Sequence, residues 1–162
     1  MKTLTLQITR PNFEYIMTGE QKTEHRDIYP SNANRYVIQT EKPDGTVHVE
    51  CVHYDALRLI NGRRKDAPTL WVEVKSAEWM YYTDKDGKPL TYEENGQRYL
   101  VAQVWYHLGR VLRTENVGPD FKFKYAGVEP YDFGYDDRPL DEMDEKARAD
   151  AEEDGQVFNP TM

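Results

Sequence analysis

Apolar side chains recur at every second position in separate stretches of this chain, and that period confines it to a β-rich fold. Leu4, Leu6 and Ile8 alternate with Thr3, Thr5, Gln7 and Thr9, and Leu70, Val72 and Val74 share one face of a longer run over 69–82. Successive side chains of a strand point to opposite faces, so such a run buries one face and leaves the other polar. Pro43-Asp44-Gly45, Asn61-Gly62, Asp84-Lys85-Asp86-Gly87 and Asn95-Gly96 are turn sequences. Between them the pattern predicts further strands at 22–28, 35–40, 46–52, 57–60, 98–108 and 110–113, with a loop at Pro30–Asn34. One early stretch has a different period. Pro11 suits a first helical turn, Phe13, Ile16 and Met17 fall at helical spacing, and Gly19 supplies a left-handed stop, which predicts a helix over 11–18. The expected fold is mostly β with a short N-terminal helix, α+β in class, its strands forming a small, partly open β-barrel with a C-terminal extension.

The charge pattern separates that extension from the rest. Residues 1–116 hold sixteen Lys or Arg and sixteen Asp or Glu, whereas residues 117–162 hold five and thirteen. The net charge of −8 therefore belongs to the extension. An acidic protein would argue against a nucleic-acid partner, but here the acidity describes a tail. The organisation expected is a β-barrel domain over 1–116 and an acidic, aromatic extension over 117–162, rich in Phe121, Phe123, Tyr125, Tyr131, Phe133 and Tyr135. Those aromatics suit a segment that docks on the barrel. Leu140, Met143, Ala147 and Ala151 share one side of a predicted helix over 140–153, which the Glu142–Lys146 and Asp144–Arg148 pairs would support.

No apolar run approaches the roughly 20 residues that span a bilayer, and the first residues have no apolar segment of the signal-peptide kind. A membrane partner is therefore not expected. Cys51 is the single cysteine, so no internal disulfide can form, and a reducing, cytoplasmic location is expected. Cys51, His53 and His48 lack paired metal-ligand spacing, and the Gly of Asp84-x-Asp86-Gly87 comes too early for a calcium loop. With no phosphate loop, serine elbow or dinucleotide fingerprint either, neither a metal nor a cofactor is expected.

The residues most able to carry chemistry lie on the predicted strand 22–28. Lys22, Glu24 and Arg26 project to one face, and Thr23, His25 and Asp27 to the other. Arg26 offers a planar fork for a phosphate, a carboxylate or a base edge. Glu24 can accept from an exocyclic amine or hold Arg26. Lys22 can bind an anion or, with a lowered pKa, act as a base. The plain alternative is a solvated strand face of alternating sign. Arg63, Arg64 and Lys65 form a basic loop of the kind that contacts single-stranded nucleic acid, although a solvated loop has the same sequence. Trp71, Trp79, Trp105 and Tyr106 can stack bases or fill a core.

The stretch from Ile16 to Arg26, Ile-Met-Thr-Gly-Glu-Gln-Lys-Thr-Glu-His-Arg, resembles the opening of the ASCH domain family, with its Gly-x-Lys-x-x-Glu-x-Arg type motif. The stretches Leu57–Gly62 with Asp66-Ala67-Pro68, Val72-Glu73-Val74, and Tyr106–Leu112 resemble later parts of that family. The resemblance spans residues 4–113 and implies a PUA-like barrel with a central cleft that binds RNA or, in some relatives, hydrolyses a modified nucleoside. Glu24 and Arg26 fall on the family's Glu and Arg. Counted from Gly19, the lysine position holds Gln21, and Lys22 stands one residue later. The acetylcytidine amidohydrolases of the superfamily use a Lys, a Thr and a Glu; counted the same way, their Lys falls on Gln21 and their Thr on Glu24. Their catalytic set is not carried over.

The function expected is binding of RNA or a modified nucleotide through a cleft containing Lys22, Glu24 and Arg26, assisted by Arg63, Arg64 and Lys65. Two alternatives stand beside it. One is an amidohydrolase-like enzyme acting on a modified nucleoside, with Lys22 and Glu24 as catalytic residues. The other is a protein-interaction module whose protein partner binds the acidic tail. That tail could also cover the basic cleft and mimic nucleic acid.

Overall fold

Pro11 and Gly19 bound helix α1 (Arg10–Thr18) as their chemistry requires. Proline fills the first turn, where its missing N–H costs nothing, and Gly19 adopts φ 81°, its N–H reaching Ile16 O at 3.1 Å. The computed structural model describes residues 1–127. The helix follows β1 (Thr3–Gln7) and precedes β2 (Thr23–Ile28). Then come α2 (Ala33–Tyr36), β3 (Val37–Glu41), β4 (Val47–Cys51), β5 (Ala56–Ile60), β6 (Thr69–Tyr81), β7 (Thr91–Glu94), β8 (Gln97–Leu100) and β9 (Ala102–Glu115). Strands dominate the described residues, so the chain is α+β and mostly β.

The largest sheet has the order β1-β5-β6-β9-β2. β1 pairs with β5 in parallel, while β5–β6 and β2–β9 are antiparallel. Among the described strands no pairing joins β1 to β2, so this sheet is open. β3–β4 and β7–β8 are separate two-stranded hairpins. The predicted helix over 140–153 and Tyr131, Phe133 and Tyr135 lie outside the described residues.

The chain divides into two compact units. Among the described residues, the first comprises Met1–Lys22, Tyr54–Val74 and the chain from Leu108 to Gly127. Its core joins Leu4 and Leu6 of β1 and Ile8 just after it to Phe13 and Ile16 of α1, with Leu57, Leu59, Leu70 and Val72 from β5 and β6. Complete burial of a Leu or Phe side chain contributes about 1.5–3 kcal/mol. Glu14 is buried in the same unit and anchors the start of the extension. Its Oε1 accepts from the backbone N–H groups of Lys124, Tyr125 and Ala126 at 2.6, 2.9 and 3.3 Å, and its Oε2 accepts from Arg10 Nε at 2.7 Å. The Phe121 ring rests 6.1 Å from Phe13, and the Arg10 guanidinium lies 4.0 Å above the Phe121 ring.

The second unit comprises Thr23–His53 and Lys75–His107. The predicted strand 98–108 is two strands, because β8 ends at Leu100 and β9 starts at Ala102. Val101 N–H bonds instead to Leu90 O at 2.9 Å, which takes it out of the ladder. The expected strand 110–113 is the continuation of β9 through Gly109. A Cβ at Gly109 would collide with the Glu73 carboxylate, so glycine is what lets that side chain cross the strand.

Candidate functional site

Alternation along β2 places Glu24, Arg26 and Ile28 on one face, opposite Tyr106, Val104 and Ala102 of β9. That face is not the solvated one. Glu24 is 4% exposed, and Tyr106 and Val104 are fully buried. Arg26 Nε donates to Glu24 Oε1 at 3.0 Å, and the Arg26 side chain keeps 12% of its surface open. A carboxylate and a guanidinium are therefore held together in a low-dielectric setting, where each is costly without the other.

Two tyrosines lie near the pair: Tyr106 stands opposite Glu24 in the β2–β9 register, and Tyr36 feels the charges of both Arg26 and Glu24. Tyr36 ends the single turn of α2, and its ring lies 6.5 Å from that of Tyr106. Burial pushes the Tyr36 hydroxyl pKa up; the charges of Arg26 and Arg35 oppose that shift, and Glu24 and Asp27 reinforce it. Tyr36 thus stays a neutral hydroxyl near the ion pair.

The opposite face of β2 is polar and aromatic. His25 stacks on Trp105 with ring centroids 3.8 Å apart. Asp27 accepts from Gln103 Nε2 at 2.8 Å and from the Tyr29 hydroxyl at 3.3 Å. Gln103 Oε1 in turn accepts from the Tyr82 hydroxyl at 2.6 Å and from Trp105 Nε1 at 3.1 Å. This network ties β2 to β9 and fixes the Glu24–Arg26 face from behind.

At the end of β2 lies a cavity of about 260 Å³. Ile28 and Ala102 belong to its lining, together with Trp79, Tyr92, Tyr99 and Arg98. Ile28 follows Arg26 by two residues on the same face, a separation of about 7 Å along a strand. The Asn95-Gly96 turn forms the β7–β8 loop with both residues at positive φ, 52° and 77°, and sets Tyr92 opposite Tyr99.

The sequence-predicted residues divide accordingly. Glu24 and Arg26 are brought together. Lys22 precedes β2 and is exposed, whereas Gln21, in the position where the resemblance expects lysine, is buried. The proton-transfer role that the hydrolase alternative gives to Lys22 and Glu24 thus joins an exposed side chain to a buried one. Arg63, Arg64 and Lys65 are exposed in the β5–β6 connection of the first unit. Trp71 lies under two guanidinium groups, 5.4 Å from Arg58 and 4.5 Å from Arg113. Nothing in the sequence pattern marks Tyr36, Tyr92, Tyr99 or Arg98 as site residues; for the Tyr92–Tyr99 pair, the Asn95-Gly96 turn is the usable signal.

Among the described residues, no three His, Cys, Asp or Glu side chains are gathered to hold a metal ion. Likewise no helix there is long and apolar enough to cross a membrane. No family model, curated protein or solved structure matches this chain.

Proposed function

We propose that this chain is an ASCH-type, PUA-like domain that binds single-stranded RNA or a modified nucleotide through the Glu24–Arg26 face of β2. The observation that carries the reading is a buried, hydrogen-bonded carboxylate–guanidinium pair on β2, the strand whose last residue, Ile28, lines an aromatic-walled cavity. A core strand has no need of an ion pair, since apolar residues of similar size serve stability as well or better. Retaining charge there suits recognition: Arg26 presents donors to phosphate or a base edge, and Glu24 sets its orientation.

The strand–helix–strand opening and the long β6 and β9 fit the partly open barrel that the resemblance implies. The single thiol, Cys51, fits a reducing, cytoplasmic setting within the same proposal.

The test is binding of a short labelled RNA by the full chain, compared between wild type and Arg26→Lys. Lysine keeps the charge beside Glu24 and loses the planar fork, so the fold is kept while affinity falls. Equal affinity in the folded variant would remove the Arg26 fork from the account.

A further inference from the structure

The cavity at the end of β2 has walls of a particular chemistry. Trp79 comes from β6, Tyr92 from β7, Arg98, Tyr99 and Leu100 from β8, and Val37, Gln39 and Val49 from the β3–β4 hairpin. Several walls are held before any ligand arrives. Trp79 Nε1 donates to Val49 O at 3.2 Å, which fixes the plane of the indole. The Tyr92 and Tyr99 rings pair at 5.7 Å, and the Tyr99 hydroxyl donates to Gln97 Oε1 at 2.6 Å. Burial, followed by the nearby charge of Glu94, raises the Tyr92 hydroxyl pKa, so this wall is uncharged at neutral pH. Arg98 lies at the edge with its side chain 69% exposed and 3.4 Å from Glu93.

We infer that this cavity takes one unstacked nucleobase, with Trp79, Tyr92 and Tyr99 as its flat apolar walls and Arg98 meeting the attached phosphate. The inference rests on the nucleotide-binding reading and names the part of the ligand that each element meets. At about 260 Å³ the cavity is slightly smaller than the roughly 300–1,000 Å³ pockets that hold drug-sized ligands, which suits one heterocycle and its sugar. Aromatic walls give sequence-tolerant stacking because every base has a π-face. A cation at the rim, in solvent, attracts phosphate without the desolvation cost of a buried charge.

Trp79 supplies the readout. Tryptophan emission of the full chain is followed while each of the four ribonucleoside monophosphates, and the matching nucleosides, are added to millimolar concentration. The expected result is saturable quenching that disappears in Trp79→Phe and needs about tenfold more ligand in Tyr99→Ala. Arg98→Ala, at an exposed position, should weaken the monophosphate several-fold and leave the nucleoside unchanged; an equal loss for both overturns the role given to Arg98. Absence of quenching by every ligand, or quenching that persists unchanged in Trp79→Phe and Tyr99→Ala, overturns the inference. RNA binding that depends on Arg26 but ignores Tyr99→Ala overturns the cavity assignment alone. Mononucleotide quenching at Trp79 without salt-sensitive RNA binding supports the cavity and removes the RNA reading.

Discussion

Glu24 and Arg26, two residues apart on β2, meet on one buried face with Arg26 Nε 3.0 Å from Glu24 Oε1. The pair gives the face its charge and makes each partner dependent on the other. Removing the carboxylate leaves a mostly buried guanidinium without its counter-charge. Glu24→Ala should cost about 3 kcal/mol of unfolding free energy in urea. The double change Glu24→Gln with Arg26→Met should recover most of that loss, because no buried charge remains. A double variant as unstable as the single one would mean that the pair itself stabilises the fold.

Glu14 governs the seating of residues 121–126. Burial alone would raise its pKa, but the backbone N–H of Tyr125, the Arg10 side chain and the N–H groups of Ala126 and Lys124 outweigh burial and lower it. A depressed carboxylate pKa contributes stability above its unfolded value, near 4.5, and loses it as pH falls through the lower folded value. Glu14→Gln should therefore flatten the acid limb of the stability–pH curve. It should also cost about 2 kcal/mol at neutral pH, since charge-assisted hydrogen bonds are replaced by neutral ones. An unchanged acid limb would show that Glu14 does not titrate with folding.

His25 should titrate below the ordinary 6.5 for histidine. Desolvation disfavours its charged form, His107 adds to that, and Asp27 opposes it; the Trp105 ring, stacked on one face of the imidazole, keeps water from that face. A lowered histidine pKa favours the folded state above 6.5 and loses that contribution as pH falls toward the folded value. NMR titration of the His25 ring should give a midpoint under 6.5, and Trp105→Ala should move it upward. A midpoint that Trp105→Ala leaves in place would remove the stacked indole as a cause.

Gly19 stops α1 in the left-handed region at φ 81°, with open space where a Cβ would stand. Gly19→Ala should thus cost about 1 kcal/mol from backbone strain alone. Thermal unfolding of the variant measures this directly; a neutral effect would show that the cap relaxes.

Much of this was legible in the residues, and the misses have physical causes. Leu4, Leu6 and Ile8 announced β1 because one face is buried, and Pro11 with Gly19 bounded α1 because each has a distinct backbone preference. Alternation also put Glu24 and Arg26 on one face. It could not say that the face is buried, since charged residues read as solvent-facing until a partner is seen. Parity also groups Lys22 with them, yet it precedes the strand and is exposed, while Gln21 is buried. Helix α2, a single turn over Ala33–Tyr36, has no period to detect, and it supplies Tyr36. The parallel β1–β5 pairing joins strands far apart in sequence, and no local pattern encodes it. The cavity draws on separate hairpins, whose turns at Pro43-Asp44-Gly45 and Asn95-Gly96 are local signatures, but no local pattern encodes how the hairpins come together.

The proposed role of the Glu24–Arg26 face is binding of single-stranded RNA or a nucleotide. Its most direct test is fluorescence anisotropy of a short labelled single-stranded RNA titrated with the full chain across a salt series, in wild type and Arg26→Lys. The account predicts saturable binding that weakens as salt rises, from the release of phosphate counterions, and lower affinity in the folded variant. Absence of binding at low salt, or equal affinity in both proteins, would contradict it.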